Sequence, residues 1–103
     1  MNSEVLILFS RKGCCLCETL EKKLSTISLI NLNPPIVLSI IDIDNKEVSL
    51  DIQRKYNNEV PILVLDSNIL SRKIELPRVS PRLKEDLLLS WIQKNLNNFF
   101  NSS

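Results

Sequence analysis

The stretch Gly13-Cys14-Cys15-Leu16-Cys17-Glu18 joins a five-residue apolar run, residues 5–9, to a segment with helical periodicity that begins at Leu16. A Cys-x-x-Cys pair between a strand and a helix is typical of redox-active proteins with a βαβ arrangement. Unpaired N–H groups and the helix dipole favour a thiolate at a helix N-terminus, and the thiolate is the form that attacks a disulfide. We therefore interpret the chain as organised around Cys14 and Cys17.

The spacing of the two cysteines suits a two-step exchange. A helix places residues i and i+3 on one face, with Cβ atoms roughly 5–6 Å apart, and small adjustments bring that separation to disulfide geometry. In such an exchange Cys14 attacks a partner disulfide, and Cys17 releases the partner by closing the Cys14–Cys17 bond. Cys15 is interpreted as a variable residue between them. The alternatives for Cys15 are a third redox thiol, a glutathionylation site or a cluster ligand.

Composition excludes several classes of function. A chain of 103 residues with 44% hydrophobic and 24% charged residues is typical of one ordinary globular domain. A net charge of +1 favours neither nucleic acid nor an anionic membrane as a partner. Three cysteines packed within four residues cannot form a disulfide framework, which fits a reducing cytosol. No stretch approaches the roughly 20 apolar residues of a membrane span, and we expect a cytoplasmic monomer.

The pattern of apolar runs and helical periodicity predicts the order β-α-β-α-β-β-α. We expect strands at residues 5–9, 36–41, 60–65 and 69–75. The first two strands are so apolar that we expect both to be buried on both faces. A right-handed crossover followed by a hairpin gives an α/β fold, a four-stranded mixed sheet with three helices.

Cap residues predict where the helices begin. The first helix is expected at residues 15–28, and the second follows an N-cap at Asp44 supported by Glu47. The third begins with Ser80 as N-cap and Pro81 as first helical residue. A tight turn is expected at residues 66–68 between the last two strands. The buried face of the third helix is predicted to consist of Leu83, Leu87, Leu88, Trp91, Ile92 and Leu96.

At this point the chain resembles a thioredoxin-fold protein of the small glutaredoxin-like family. The residues that carry the resemblance are Leu8-Phe9-Ser10-Arg11-Lys12-Gly13-Cys14-x-Leu16-Cys17-Glu18, Ile41-Asp42-Ile43-Asp44, Val60-Pro61 and Trp91. They extend over nearly the whole chain. The resemblance implies a thiol–disulfide oxidoreductase that requires no cofactor, with Cys14 attacking and Cys17 resolving. It also implies that Pro61 is a cis-proline facing the cysteines, and that Val60 offers its backbone to an extended substrate.

Two departures from the family concern the ligand. Glutathione-binding members carry a Gly-Gly turn after the third strand, where this chain reads Asp66-Ser67-Asn68, and Cys15-Leu16 replaces their usual aromatic residue. We therefore expect a disulfide-containing protein or a small dithiol as partner in preference to glutathione. Lys12, together with Arg54 or Lys55, is the candidate to meet glutathione carboxylates if that ligand binds.

Two other classes of function compete with catalysis. A structural zinc site commonly takes four Cys or His ligands from two separated pairs, whereas this chain has no histidine and one cysteine cluster. No metal ligand is therefore predicted within one chain, although an iron–sulfur cluster bridging two subunits is compatible with the pattern. A non-catalytic interaction domain of the same fold is the third interpretation, because fold does not fix function.

Overall fold

The computed structural model describes residues 4–100, and its elements follow the predicted order. They are β1 (Glu4–Ser10), α1 (Cys15–Thr26), β2 (Ile36–Asp42), α2 (Leu50–Tyr56), β3 (Ile62–Ser67), β4 (Arg72–Glu75) and α3 (Glu85–Phe100). A 3-10 turn, Leu29–Asn31, lies between α1 and β2. Within the described part of the chain, none of the helices has the length and apolar character needed to cross a membrane.

The four strands form one mixed sheet in the order β2-β1-β3-β4. β1 lies parallel to β2 and antiparallel to β3, and β4 completes a hairpin with β3. The predicted fold class, an α/β four-stranded mixed sheet with three helices, is confirmed. The central position of β1 matters for function, because the cysteine segment follows directly from its end.

Alternating side chains of β1 contribute to two separate cores, as the period of a strand requires. Leu6 and Leu8 belong to the larger core, which α1 and α3 cover. Ile7 and Phe9 belong to the smaller core on the other face, which includes Tyr56 of α2. The larger core is completed mainly by Leu20, Leu24, Leu63, Leu65, Leu88, Ile92 and Leu96.

The prediction that the second strand is buried on both faces is wrong. β2 is an edge strand, and Val37 and Ile40 remain 47% and 42% exposed. An apolar run of this kind looks the same in a central strand and in an edge strand, because the pattern does not say how many neighbours a strand has.

α2 begins five residues later than predicted, at Leu50. Its N-cap is Ser49, whose Oγ accepts the Ile52 N–H at 3.3 Å. The stretch before it forms local side-chain turns instead of helix. Asp42 accepts the Asp44 N–H, and Asn45 accepts the Glu47 N–H, each at 2.9 Å. Such Asx turns compete with the helix for backbone donors.

α3 also begins later than predicted, at Glu85. Ser80 starts a turn in which its carbonyl accepts the Leu83 N–H at 3.1 Å. Leu88, Ile92 and Leu96 are buried as expected, whereas Leu87 is 52% exposed and Trp91 is half-buried. The later start and the buried Asn95 show that the apolar face of this helix is narrower than the periodicity indicated.

The β3–β4 connection occupies residues 68–71, not the predicted 66–68. Ser67 is still part of β3, and its Oγ accepts the Leu70 N–H at 2.9 Å. Ser71 adopts a left-handed conformation with φ of 55°. Since β3 runs antiparallel to β1, this turn lies at the end of the sheet where β1 begins.

Candidate functional site

Cys14 is the N-cap residue of α1. Its backbone is extended, with φ of −90° and ψ of 109°, and its Sγ accepts the Cys17 N–H at 3.2 Å. Its carbonyl accepts the Glu18 N–H at 3.0 Å. The half-exposed sulfur therefore lies against an unpaired donor of the first helical turn, the position in which a helix N-terminus stabilises negative charge.

Cys17 lies in the same turn but faces the protein interior. Its side chain is fully buried. Burial, followed by the hydrogen bond with Cys14, raises the pKa of the Cys17 thiol to about 11. The two thiols of the pair thus differ sharply in access to solvent and to a partner.

Cys15 is the first residue of α1 and is exposed. Its carbonyl accepts the Thr19 hydroxyl at 2.9 Å. Like Cys14 and Cys17, it carries a free thiol. Its side chain is directed to the surface and is not part of the buried half of the site.

Gly13 provides the backbone conformation that delivers Cys14. Its φ is +80°, and the following Cys14 N–H donates to the Arg11 carbonyl at 3.3 Å. A Cβ added at Gly13 would meet no atom within 4 Å. The requirement for glycine here is therefore conformational and not a matter of space.

Arg11 is the residue of the site that the sequence did not reveal. Its Nε and Nη2 donate to the Asp44 carboxylate at 2.9 and 3.0 Å, and its Nη1 and Nη2 donate to the carbonyl and Oδ1 of Asn57, each at 2.8 Å. We call this set of four bonds the Arg11 clamp. The Arg11 guanidinium lowers the pKa of Asp44, and that carboxylate in turn raises the pKa of Arg11.

A signal for this clamp was present in the sequence but needed the strand register. Ser10 and Asp42 are register partners at the ends of the parallel strands β1 and β2. Residues that directly follow the ends of two paired parallel strands emerge at the same edge of the sheet. Arg11 and Asp44 are such residues.

Lys12 is exposed, and no side-chain partner is found for it among residues 4–100. It borders a cleft of about 400 Å³ between the cysteine loop, α1 and β2. The other residues that line this cleft are Ser10, Arg11, Glu18, Glu21, Ile40 and Asp42. Of the two predicted companions of Lys12, neither lines the cleft. Lys55 instead lies 3.7 Å from Glu75 and above the ring of Tyr56.

Val60 and Pro61 lie at the same end of the sheet as the cysteine loop. The Val60–Pro61 peptide bond is cis. The next residue, Ile62, pairs with Phe9 near the end of β1, and the cysteine loop leaves β1 at Ser10. Val60 and Pro61 are both half-buried.

The segment 66–68, in contrast, lies far from the cysteines. Asp66 pairs with Val5, and the Asn68 N–H donates to Glu4 Oε1 at 2.9 Å, at the opposite end of β1. A seven-residue strand is roughly 20 Å long, so Ser67 and Asn68 cannot crowd a ligand bound at Cys14. The departure at residues 66–68 therefore does not bear on a ligand at Cys14, and the expected partner class stays a prediction.

Within residues 4–100 no group of three or more Cys, Asp or Glu side chains is arranged to hold a metal ion.

Comparison with known proteins gives one family. The family model described as Glutaredoxin-like domain (DUF836) matches residues 5–93. A solved structure described as a malarial protein is similar in fold, with a TM-score of 0.59, 23% identity, and coverage of 92% of this chain and 99% of that chain. No curated protein sequence matches the chain. The predicted resemblance is confirmed, and the chain belongs to the glutaredoxin-like family.

Proposed function

We propose that this protein is a thiol–disulfide oxidoreductase in which Cys14 attacks and Cys17 resolves. One observation carries the proposal: Cys14 is half-buried at the surface and its Sγ accepts the Cys17 N–H at 3.2 Å, whereas Cys17 is fully buried. An exposed sulfur at a helix N-terminus is suited to attack, and a buried one three residues later is suited to intramolecular closure.

The proposed cycle is balanced in atoms and electrons. The Cys14 thiolate attacks one sulfur of a substrate disulfide, which forms a mixed disulfide and expels one substrate thiolate. Cys17 then loses its proton to solvent and attacks Cys14 Sγ, which forms the Cys14–Cys17 disulfide and expels the second thiolate. The substrate is reduced by two electrons and the protein dithiol is oxidised by two, and an external thiol donor restores it.

Lys12, Val60 and Pro61 are proposed to bind the substrate. The N–H and C=O of Val60 add an extended substrate segment in the manner of a strand, and Pro61 packs against it. Their position supports the assignment, since Ile62, the residue after Pro61, pairs with Phe9 close to the point where β1 ends and the cysteine loop begins.

We propose that the partner is a protein disulfide or a dithiol, in preference to glutathione. We also propose that the protein is monomeric and acts in the cytoplasm. The support comes from charge around the cleft. Glu18, Glu21 and Asp42 line it, and Arg11 already donates to Asp44 and Asn57. Lys12 is thus the one cation lining the cleft without a partner among residues 4–100, and the carboxylates disfavour an anionic thiol.

The proposed reaction is tested by disulfide reductase activity of single variants. Cys14→Ser is expected to abolish turnover, and Cys17→Ser is expected to trap mixed disulfides at Cys14. Iodoacetamide at neutral pH should label Cys14 faster than Cys17, and the reverse order would exchange the two roles. Cys15→Ser should retain turnover, because Cys15 has no part in the proposed cycle. Loss of turnover in this variant would show that the third thiol takes part.

Two further measurements separate the competing interpretations. Intact mass after mild oxidation should show the loss of two hydrogens, whereas a visible absorption band in freshly purified protein would point to a bound cluster. Turnover with glutathione and its reductase is then compared with a dithiol donor at matched thiol concentration. Faster turnover with glutathione, saturating at low concentration, would overturn the proposed partner class.

A further inference from the structure

We infer that Arg11 is a positioning residue that sets the rate at which Cys17 closes on Cys14. This inference rests on the proposed function, since it concerns the second step of the cycle. Through Asp44 and Asn57 the Arg11 clamp holds the loop that carries Cys14, and the side-chain hydrogen bonds of Arg11 go to these two residues and not to the reacting sulfurs. The backbone of Arg11 lies against the Cys17 thiol, so the loop that the clamp holds borders both sulfurs.

The clamp joins three segments that are distant in sequence. Arg11 lies in the loop between β1 and α1, Asp44 follows β2, and Asn57 is the C-cap of α2, so the bonds bridge 33 and 46 residues. Four of the five guanidinium N–H groups are used, in two forks with donor–acceptor distances of 2.8 to 3.0 Å. A guanidinium held by two forks has a fixed plane and direction.

The fixed side chain also fixes the backbone to which it belongs. The Arg11 carbonyl accepts the Cys14 N–H at 3.3 Å across the left-handed turn at Gly13. Turning Arg11 would therefore carry the amide of Cys14 with it. The loop that positions Cys14 Sγ is anchored at one end by α1 and at the other by this clamp.

The two chemical steps make different demands on that loop. Attack by Cys14 on an external disulfide requires only an accessible sulfur, because the substrate adjusts to it. Closure requires Cys14 Sγ to lie in line with a Cys17 sulfur that is fully buried and fixed within α1. A displacement of about 1 Å can cost an intramolecular step roughly a hundredfold in rate. Loosening the clamp should therefore slow closure far more than attack.

The test follows both steps in one reaction. An aromatic disulfide that releases a coloured thiolate yields one equivalent when Cys14 attacks and a second when Cys17 closes. All proteins carry Cys15→Ser, so that only the paired thiols react. In single-turnover mixing, Arg11→Gln is expected to keep the first phase within about twofold of the parent and to slow the second by about tenfold or more.

Two substitutions distinguish the clamp from a simple effect of charge. Arg11→Lys keeps the charge but cannot form the two forks, so the second phase should remain slow. Asp44→Asn should slow the same phase. The Arg11→Gln/Asp44→Asn double variant should be no slower than Arg11→Gln alone, because both substitutions disrupt the same Arg11 clamp. Arg72→Gln, an exposed cation on β4 at the other end of the sheet, serves as the matched control and should match the parent.

Several results would overturn the inference. These are a second phase at parental rate in Arg11→Gln, full recovery of that phase in Arg11→Lys, and equal slowing of both phases. If Arg11→Gln fails to fold, Asn57→Ala removes only the bond to Oδ1 and should give a smaller slowing confined to the second phase. A parent protein that never releases the second equivalent would instead refute the proposed function.

Discussion

The two ends of β1 are each held by one charged side chain, but in opposite environments. At the beginning of the strand, Glu4 is fully buried, and its Oε1 accepts the Asn68 and Ile69 N–H groups at 2.9 and 3.1 Å. Beyond the other end, Arg11 makes its clamp near the surface, with 30% of its side chain exposed. One residue stabilises a turn between strands, and the other holds the loop that carries Cys14.

The difference shows how burial separates stability from function in this fold. A buried carboxyl group that accepts backbone N–H groups is costly to remove, because those donors lose their acceptor in a site that excludes water. Surface ion pairs add little to stability, since water competes for both partners. We therefore expect the fold to tolerate loss of the Arg11 clamp at the cysteine end better than loss of the Glu4 side chain at the turn end.

The largest expected effect is on the free energy of unfolding at the turn end. Glu4→Ala should cost about 3 kcal/mol, because two backbone N–H groups lose a charged acceptor. Glu4→Gln keeps one acceptor oxygen and should cost about half as much. Denaturant midpoints measure both. A larger loss of unfolding free energy in Arg11→Gln than in Glu4→Ala would contradict the expectation that the turn end contributes more to stability.

The second effect concerns pH and the cysteine end. In the mixed disulfide the sulfur of Cys14 is bonded to the substrate, so burial is the cause that still raises the pKa of the Cys17 thiol during closure. The rate of closure should therefore rise steadily from pH 7 to pH 9, because the thiolate fraction of Cys17 grows with pH. A closure rate that stays flat between pH 7 and pH 9 would contradict a raised pKa, and Cys17→Ser, which has no closure phase, is the control.

A smaller effect is expected from the two left-handed residues. Gly13→Ala should cost about 1–2 kcal/mol, because a side chain disfavours positive φ even where space is free. At the turn end Ser71→Gly should instead give a gain of less than about 1 kcal/mol, since relief of strain is offset by greater freedom of the unfolded chain. Unfolding midpoints that move in the same direction for both would contradict this prediction.

A last effect, of similar size, is expected at Tyr56, which precedes Asn57 of the clamp. Its hydroxyl donates to Glu75 Oε1 at 2.8 Å, and burial, followed by this bond, raises the Tyr56 pKa to about 12. Tyr56→Phe should cost about 1 kcal/mol at neutral pH. Because the folded-state pKa lies above the ordinary value of 10, the advantage of tyrosine should persist below pH 10 and decline between pH 10 and 12. A constant difference across that range would refute the assignment.

The sequence was sufficient for the order of elements and for the place of the cysteine pair. Strand and helix periods differ clearly in β1 and α1, and a Cys-x-x-Cys at their junction has few other interpretations. The N-cap of α2 was misplaced because Asp44 followed by Glu47 has the form of a cap, although the Asp44 side chain is used by Arg11. A local pattern cannot report a partner 33 residues away.

The incorrect predictions for β2 and for the turn between β3 and β4 have a shared cause. A correct prediction in either place requires the strand order, which decides whether an apolar strand has one neighbour or two and at which end of the sheet a turn lies. Once β1 is known to be central and antiparallel to β3, the exposure of Ile40 and the distance of Ser67 from the cysteines follow directly. The Arg11 clamp follows from the register of β1 and β2 in the same way.

Gly13 is the only glycine in 103 residues, which bears on the unfolded chain as well as on the cysteine turn. An average composition would supply about seven glycines, each of which gives the unfolded state extra backbone freedom. Replacing a glycine by another residue at a compatible site is worth about 0.4–1 kcal/mol through that freedom alone. The chain therefore loses less backbone entropy on folding than a typical domain of its length, and its one glycine directly precedes Cys14.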